Sequence, residues 1–149
     1  MDILYIWAWL AVWLAGAGVA IGQWIMAKTS LDAMGKNPEI SWSFLVLTVL
    51  GIALIESAVI YALIVGFQIL GLDPETLANI YSPIWAWLAI WLAGMWAGIW
   101  EGKLVSWAMD AILRNPDMRG KIMTYMVLFV ALVESVAIYG LIIALNLMW

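Results

Sequence analysis

The chain contains no cysteine and no histidine in its 149 residues. Without cysteine there is no disulfide framework, no thiolate metal site and no thiol nucleophile. Without histidine the commonest metal ligand and the usual general base are both missing, which argues against soluble-type catalysis. Charge is scarce too: 11% of residues are charged, against 67% hydrophobic. A soluble domain of this size has too much surface to cover for that balance to work. The opening MDILYIW carries no basic stretch, and no small-residue cleavage site follows a short apolar core, so no secretory leader is expected. The net charge of −4 says little, because the distribution of charge matters more than its sum.

Four long apolar segments are present, at about 4–28, 41–71, 83–109 and 122–148. Each reaches the roughly 20 residues needed to cross a hydrocarbon core ~30 Å thick. Backbone in lipid must satisfy its own hydrogen bonds, so these segments are expected to be helices. The expected fold is all-α: a membrane protein of four transmembrane helices arranged as two tandem helical hairpins. All six basic residues, Lys28, Lys36, Lys103, Arg114, Arg119 and Lys121, lie in or beside KTSLDAMGKNPE and RNPDMRGK. The N-terminus and the central connection GLDPETLANIYSP carry acids but no Lys or Arg. The positive-inside rule then places both polar loops in the cytoplasm and both termini on the other side. An Asn-Pro in each loop marks a turn, because the residue before proline is pushed out of the helical region.

A shift of 78 residues aligns the two halves. IWAWLAVWLAG (6–16) meets IWAWLAIWLAG (84–94), KNPE (36–39) meets RNPD (114–117), and ESAVIY meets ESVAIY. Apolar helices align easily, but matched Asn-Pro, Glu-Ser and Ile-Tyr pairs at one offset are better explained by a duplicated hairpin. The hairpins are taken as 1–78 and 79–149. Both copies enter and leave on the same side, which argues against an inverted-repeat transporter. In the first helix Gly16, Gly18, Ala20 and Gly22 form a small-residue track, with Gly94 and Gly98 in the second copy. Small residues let helix backbones approach closely in lipid. The track fits either a close contact inside one hairpin or a tightly packed inner ring of helices, and spacing does not choose between them.

Glu56 and Glu134 stand near the midpoints of the second and fourth helices. A charge at that depth is costly, and an ionisable residue there is a functional candidate. A protonated structural carboxyl is the bland reading, which two identical placements disfavour. At about 100° per residue, Ser57 and Tyr61 lie about 40° apart and well away from Glu56; Ser135 and Tyr139 stand identically to Glu134. Such an offset suits sites built between adjacent hairpins. Gln23 precedes Glu56 by 33 positions and Glu101 precedes Glu134 by 33, so all four should reach one depth. Carboxylate, amide or second carboxylate, hydroxyl and free carbonyl together make an oxygen-rich cage for a hard cation.

The small-residue track ending in GQ, the (R/K)NP(E/D) loops, KIMTYM (121–126) and ALxES…IYxLI resemble the c subunit of rotary F-type and V-type ATP synthases. This is the ring-forming proteolipid, here in tandem-duplicated form, and the resemblance covers essentially the whole chain, twice. It implies a double-layered oligomeric ring, with the first and third helices inside and the second and fourth outside. Each outer glutamate would bind an ion and exchange it with half-channels in a stator a-type subunit. Ion flow would turn the ring and the central stalk, in an energy-coupling membrane such as a bacterial or archaeal inner membrane. Asn37, Pro38, Asn115 and Pro116 would be stalk contacts. The partners implied are copies of the chain, stator, stalk and lipid bilayer, with no nucleic acid, no organic cofactor, and Na+ or H+ as the transported ion. The chain would not be an enzyme by itself.

Gln23, Glu56, Ser57 and Tyr61 match the sodium-binding pattern of that family. The resemblance implies that Gln23 and Glu56 meet Ser135, Tyr139 and the Leu132 carbonyl. Glu101 and Glu134 would meet Ser57, Tyr61 and the Leu54 carbonyl, with each tyrosine steadying a carboxylate. Glu101 in place of glutamine resembles a two-carboxylate variant in which one acid stays protonated, since two like charges cannot both ionise cheaply. The tryptophans depart from the family pattern. Trp7, Trp9, Trp85, Trp87 and Trp149 suit membrane interfaces, whereas Trp13, Trp91, Trp96 and Trp100 do not. Trp96 and Trp100 replace members of the small-residue track, and Trp85, Trp96 and Trp107 form one stripe expected to fill a hairpin interface or the ring's interior. Two other readings compete: a structural or engineered ring without rotary function, and a small four-helix ion-coupled exporter. The exporter predicts one cavity rather than two equivalent sites.

Overall fold

The computed structural model describes residues 3–73, 75, 79 and 81–148. The expected hairpin boundary at 78 and the interfacial Trp149 lie outside the described residues. Four helices account for nearly all of it: α1 (Ile3–Lys36), α2 (Ser41–Leu70), α3 (Ser82–Arg114) and α4 (Arg119–Met148). All four are long and apolar enough to cross a membrane. The chain is an integral, multi-pass, all-α protein built as two hairpins, and no strand occurs among the described residues.

The apolar segments end near 28 and 109, but α1 and α3 run on to Lys36 and Arg114. At 1.5 Å per residue α1 is about 51 Å long, well beyond a ~30 Å hydrocarbon core. The change from apolar to polar residues therefore marks the edge of the apolar slab, not the end of the helix. Good helix formers such as Ala27, Lys28, Leu31 and Ala33 carry the helix outward. It stops where proline forces it to stop: Asn37 (φ −139°) and Asn115 (φ −144°) are extended, as residues before proline must be. A single turn of 3-10 helix, Pro38–Ile40 or Pro116–Met118, then starts the return helix. Both turns lie at one end of the molecule, where Arg119 Nη1 donates to Ser43 Oγ at 3.3 Å.

The closest helix pair is α1 with α3, one from each hairpin. A Cβ added at Gly18 would stand 2.5 Å from the Cα and carbonyl oxygen of Met95, one at Gly22 would overlap the Gly98 carbonyl, and one at Gly102 would overlap the Gly22 backbone. These are backbone-to-backbone contacts that only glycine permits, and in lipid such close approach is a main source of helix association. The track thus joins the two hairpins, not the two helices of one hairpin. Its members diverge, however: a Cβ added at Gly16 would stand 3.5 Å from Val59 of α2, and Ala20 is exposed. In the second copy a Cβ added at Gly94 would stand 3.3 Å from the Ala15 side chain, and one at Gly98 would stand 2.9 Å from the Val19 backbone.

Helix α2 lies over the α1–α3 seam and contacts both, while α4 leans on α3 and α2. Phe44, Leu47 and Ile55 of α2 are fully buried with Met26, Val105 and Met109 beneath them. Gly140 of α4 rests on Ala93 and the Ala89 carbonyl of α3. The result is two layers: α1 and α3 side by side, α2 and α4 stacked on one face.

Candidate functional site

Glu56 and Glu134 fall at the midpoints of α2 (Ser41–Leu70) and α4 (Arg119–Met148). The layering brings a polar residue of α1 or α3 to each. Gln23 of α1 donates from Nε2 to Glu56 Oε2 at 2.6 Å, a short hydrogen bond. In the second hairpin Glu101 of α3 interacts with Glu134 of α4. Glu101 is fully buried, and no protein group among the described residues hydrogen-bonds the carboxyl oxygens of either acid. Two adjacent carboxyl groups without donors are an expensive arrangement in a low-dielectric interior. A shared proton or a bound cation relieves it.

Tyr61 of α2 crosses from the first hairpin to the second. It stands beside Glu134, with Glu101 close behind, and makes no fully formed hydrogen bond to either. The Glu101–Glu134 pair is thus enclosed within one chain, with Tyr61 of the other hairpin against it. The Gln23–Glu56 pair is different, because Glu56 is exposed on the free edge of α2. The residues expected to complete that first site, Tyr139 and Leu132, are also exposed, at 60% and 62%, on α4. Within one chain the structure does not bring Ser135, Tyr139 and Leu132 to Glu56.

The serine hydroxyls and leucine carbonyls expected to face an ion lie side by side on each helix. Ser57 Oγ donates to the Leu54 carbonyl at 2.6 Å, and Ser135 Oγ to the Leu132 carbonyl at 2.7 Å. Each pair presents two adjacent oxygens on one helix face. The hydroxyl oxygen keeps its lone pairs, and the carbonyl keeps a second one, so both can still turn to a cation.

Two further hydroxyl pairs lie between the acids and the Asn-Pro turns. Thr29 Oγ1 is 2.7 Å from Ser106 Oγ, joining α1 to α3, and Ser30 Oγ is 2.5 Å from Thr48 Oγ1, joining α1 to α2. Sequence reasoning missed them because Thr29 and Ser30 fall in the stretch read as loop. They have no counterpart in the second copy, where the 78-residue shift puts Trp107, Ala108 and Met126 in place of Thr29, Ser30 and Thr48. Asn37, Pro38, Asn115 and Pro116 all stand at the turn end.

Trp85, Trp96 and Trp107 are 56%, 52% and 55% exposed. The expected filling of the interface between this chain's own hairpins does not occur: the stripe lies on the far side of α3 from α1, because glycine occupies the near side. Trp7 and Trp87 do meet across α1 and α3, stacked at 5.7 Å between centroids.

Known proteins give the same division into halves. The family of ATP synthase c subunits matches twice, over residues 6–69 and 84–147. The ATP synthase c subunit of Clostridium beijerinckii is 42% identical over 58 residues, 39% of this chain and 82% of that protein. The chloroplastic ATP synthase c subunit of Porphyra purpurea is 37% identical over 75 residues, 50% of this chain and 92% of that protein. For the ATP synthase c subunit of Oleidesulfovibrio alaskensis the figures are 39% identity over 57 residues, 38% of this chain and 59% of that protein. One half of this chain therefore corresponds to most of a relative.

Proposed function

The chain belongs to the ATP synthase c-subunit family, and from that premise we propose that it is the rotor-ring subunit of a rotary ATP synthase. Copies close into a double-layered ring, with α1 and α3 inside and α2 and α4 outside. Glu56 and Glu134 carry sodium ions, or protons where sodium is scarce, between half-channels of a stator a-type subunit. The polar turns at Asn37-Pro38 and Asn115-Pro116 face the cytoplasm and grip the central stalk, and both termini lie on the other side.

The observation that carries this reading is the paired placement of the acids. Each stands at a helix midpoint beside a polar residue of its own hairpin's inner helix, and Tyr61 of the first hairpin stands at the acid of the second. A site between successive hairpins follows. Gln23 and Glu56 supply one half of the first site, with Ser135, Leu132 and Tyr139 of a neighbouring copy supplying the other. Glu101 and Glu134 form the second site with Ser57, Leu54 and Tyr61 of the same chain. Sodium suits both, because each offers oxygen ligands only.

Dicyclohexylcarbodiimide, which adds to a protonated carboxyl, tests the assignment. Labelling of Glu56 and Glu134 in the intact membrane assembly, slowed by sodium at both, is the expected result. No labelling at either acid refutes the rotor role, and labelling indifferent to sodium at every pH refutes sodium as the ion.

A further inference from the structure

We propose that copies of this chain meet through a tryptophan seam, so that glycine seams inside each chain alternate with tryptophan seams between chains. The proposal rests on the ring reading and identifies the surface by which one copy takes the next.

The argument begins with direction around the helices. Measured from Gly98, which faces α1, Trp96, Trp100 and Trp107 of α3 lie about 160–180° away. Measured from Gly22, which faces α3, Trp13 and Trp24 of α1 lie about 160–180° away, and Trp9 about 140°. The inner layer therefore carries a tryptophan stripe on each of its two outer flanks, and all of these indoles are at least 42% exposed. Exposed indoles at mid-helix depth do not suit an interfacial belt. They suit a lateral partner, and the α1–α3 contact inside the chain shows which one: each first helix of a hairpin takes the next along the same direction.

The 78-residue repeat turns the observed seam into a register for the unobserved one. The Trp7–Trp87 stack at 5.7 Å becomes Trp85 on Trp9 of the next copy, so an indole stack is expected at that end of both seams. The stack of Trp87 on Trp91 inside the chain is already matched by Trp9 on Trp13, both at 5.3 Å. Towards the turns the seams diverge. The Gly22–Gly98 contact becomes Trp100 against Ala20, and the Gly18–Met95 contact becomes Trp96 against Ala17. The Thr29–Ser106 hydrogen bond becomes Trp107 against Lys28, a cation on an aromatic face like the one Lys103 makes 4.3 Å above Trp100. Indoles where glycines stood hold the inner helices further apart. Wider inner spacing under an unchanged outer layer flattens the wedge each chain contributes, and the ring needs more chains to close.

Because the chain has no cysteine, engineered thiols report without background. Trp9→Cys with Trp85→Cys, treated in membranes with a short thiol-specific bifunctional reagent, should give a ladder of cross-linked multimers. Either single variant should not. Independently, Trp96→Gly with Trp100→Gly, which restores the first copy's residues, should give an intact ring with fewer chains by native mass spectrometry. An assembly that stays oligomeric yet yields no ladder, or keeps its copy number in the glycine variant, overturns the seam. A chain that is monomeric in membranes before any substitution overturns the ring reading itself.

Discussion

Replacing Gln23 by alanine separates the two sites in a single molecule. The amide nitrogen donates to Glu56 Oε2 at 2.6 Å, and no other side chain among the described residues hydrogen-bonds that carboxyl. A hydrogen bond to a charged group is worth about 1.5–3 kcal/mol. Its loss, together with the amide oxygen's place in the cage, should weaken sodium at Glu56 by roughly 10- to 160-fold. Glu134 has Glu101 as its partner instead and should keep its affinity. The assay is carbodiimide labelling of the intact assembly over a sodium series, with the peptides carrying Glu56 and Glu134 quantified separately by mass. The sodium concentration giving half-protection should rise by that factor at Glu56 and stay fixed at Glu134. Equal shifts at both acids, or none at Glu56, refute the argument that each inner-helix polar residue serves its own hairpin's acid.

Four other outcomes follow from the same geometry. Glu101→Gln gives the enclosed site the same carboxyl and amide pair as the first, so the sodium concentration that half-protects Glu134 from carbodiimide should move towards the value at Glu56. Tyr61→Phe should alter labelling at Glu134 and leave Glu56 unchanged, while Tyr139→Phe should do the reverse, and only in the assembled oligomer. Gly102→Ala places a Cβ into the Gly22 backbone and should cost about 1–3 kcal/mol by overpacking, read as a lower temperature of thermal unfolding in detergent. Gly120→Ala, with nothing within 4 Å, should instead gain up to about 1 kcal/mol from helix propensity.

The fold was legible because hydrophobic length and Asn-Pro turns are local signals. Glu56 and Glu134 fall within a residue of their helix midpoints, where the sequence placed them, because the turns that set those midpoints are proline-enforced. The ends of α1 and α3 were not legible, since a polar stretch of good helix formers looks like a loop when judged by hydropathy. The partner of the glycine track was equally hidden. Gly18 and Gly22 repeat at helical spacing whichever neighbour they meet, and only the three-dimensional arrangement assigns them to α3. The bonds from Ser57 and Ser135 back to the Leu54 and Leu132 carbonyls were not legible either, since a helical serine with no better acceptor turns to a carbonyl of the preceding turn whatever its other role.

Duplication followed by divergence leaves the two acids in unequal surroundings even though the repeat places them alike. Glu134 is enclosed within one chain, against Glu101 and Tyr61, on the side of the glycine seam. Glu56 lies on the free edge, bonded to an amide, on the side where tryptophans replace glycines. In the proposed ring the two differences fall together: the seam lined by tryptophan is the one whose site has a single carboxyl. A site with one carboxyl and one amide can hold a cation without a second acid to neutralise. In the proposed ring such a site would therefore tolerate the looser, assembly-dependent closure of a wider seam. A two-carboxyl site is costly unless its geometry is fixed, and the backbone contact of α1 with α3 fixes it before any second copy arrives. Dissociating the ring should then abolish sodium protection at Glu56 while leaving the local environment of Glu134 intact. Carbodiimide labelling of gently dissociated chains reads that difference, and equal loss at both acids would show that the glycine seam does not preform the second site.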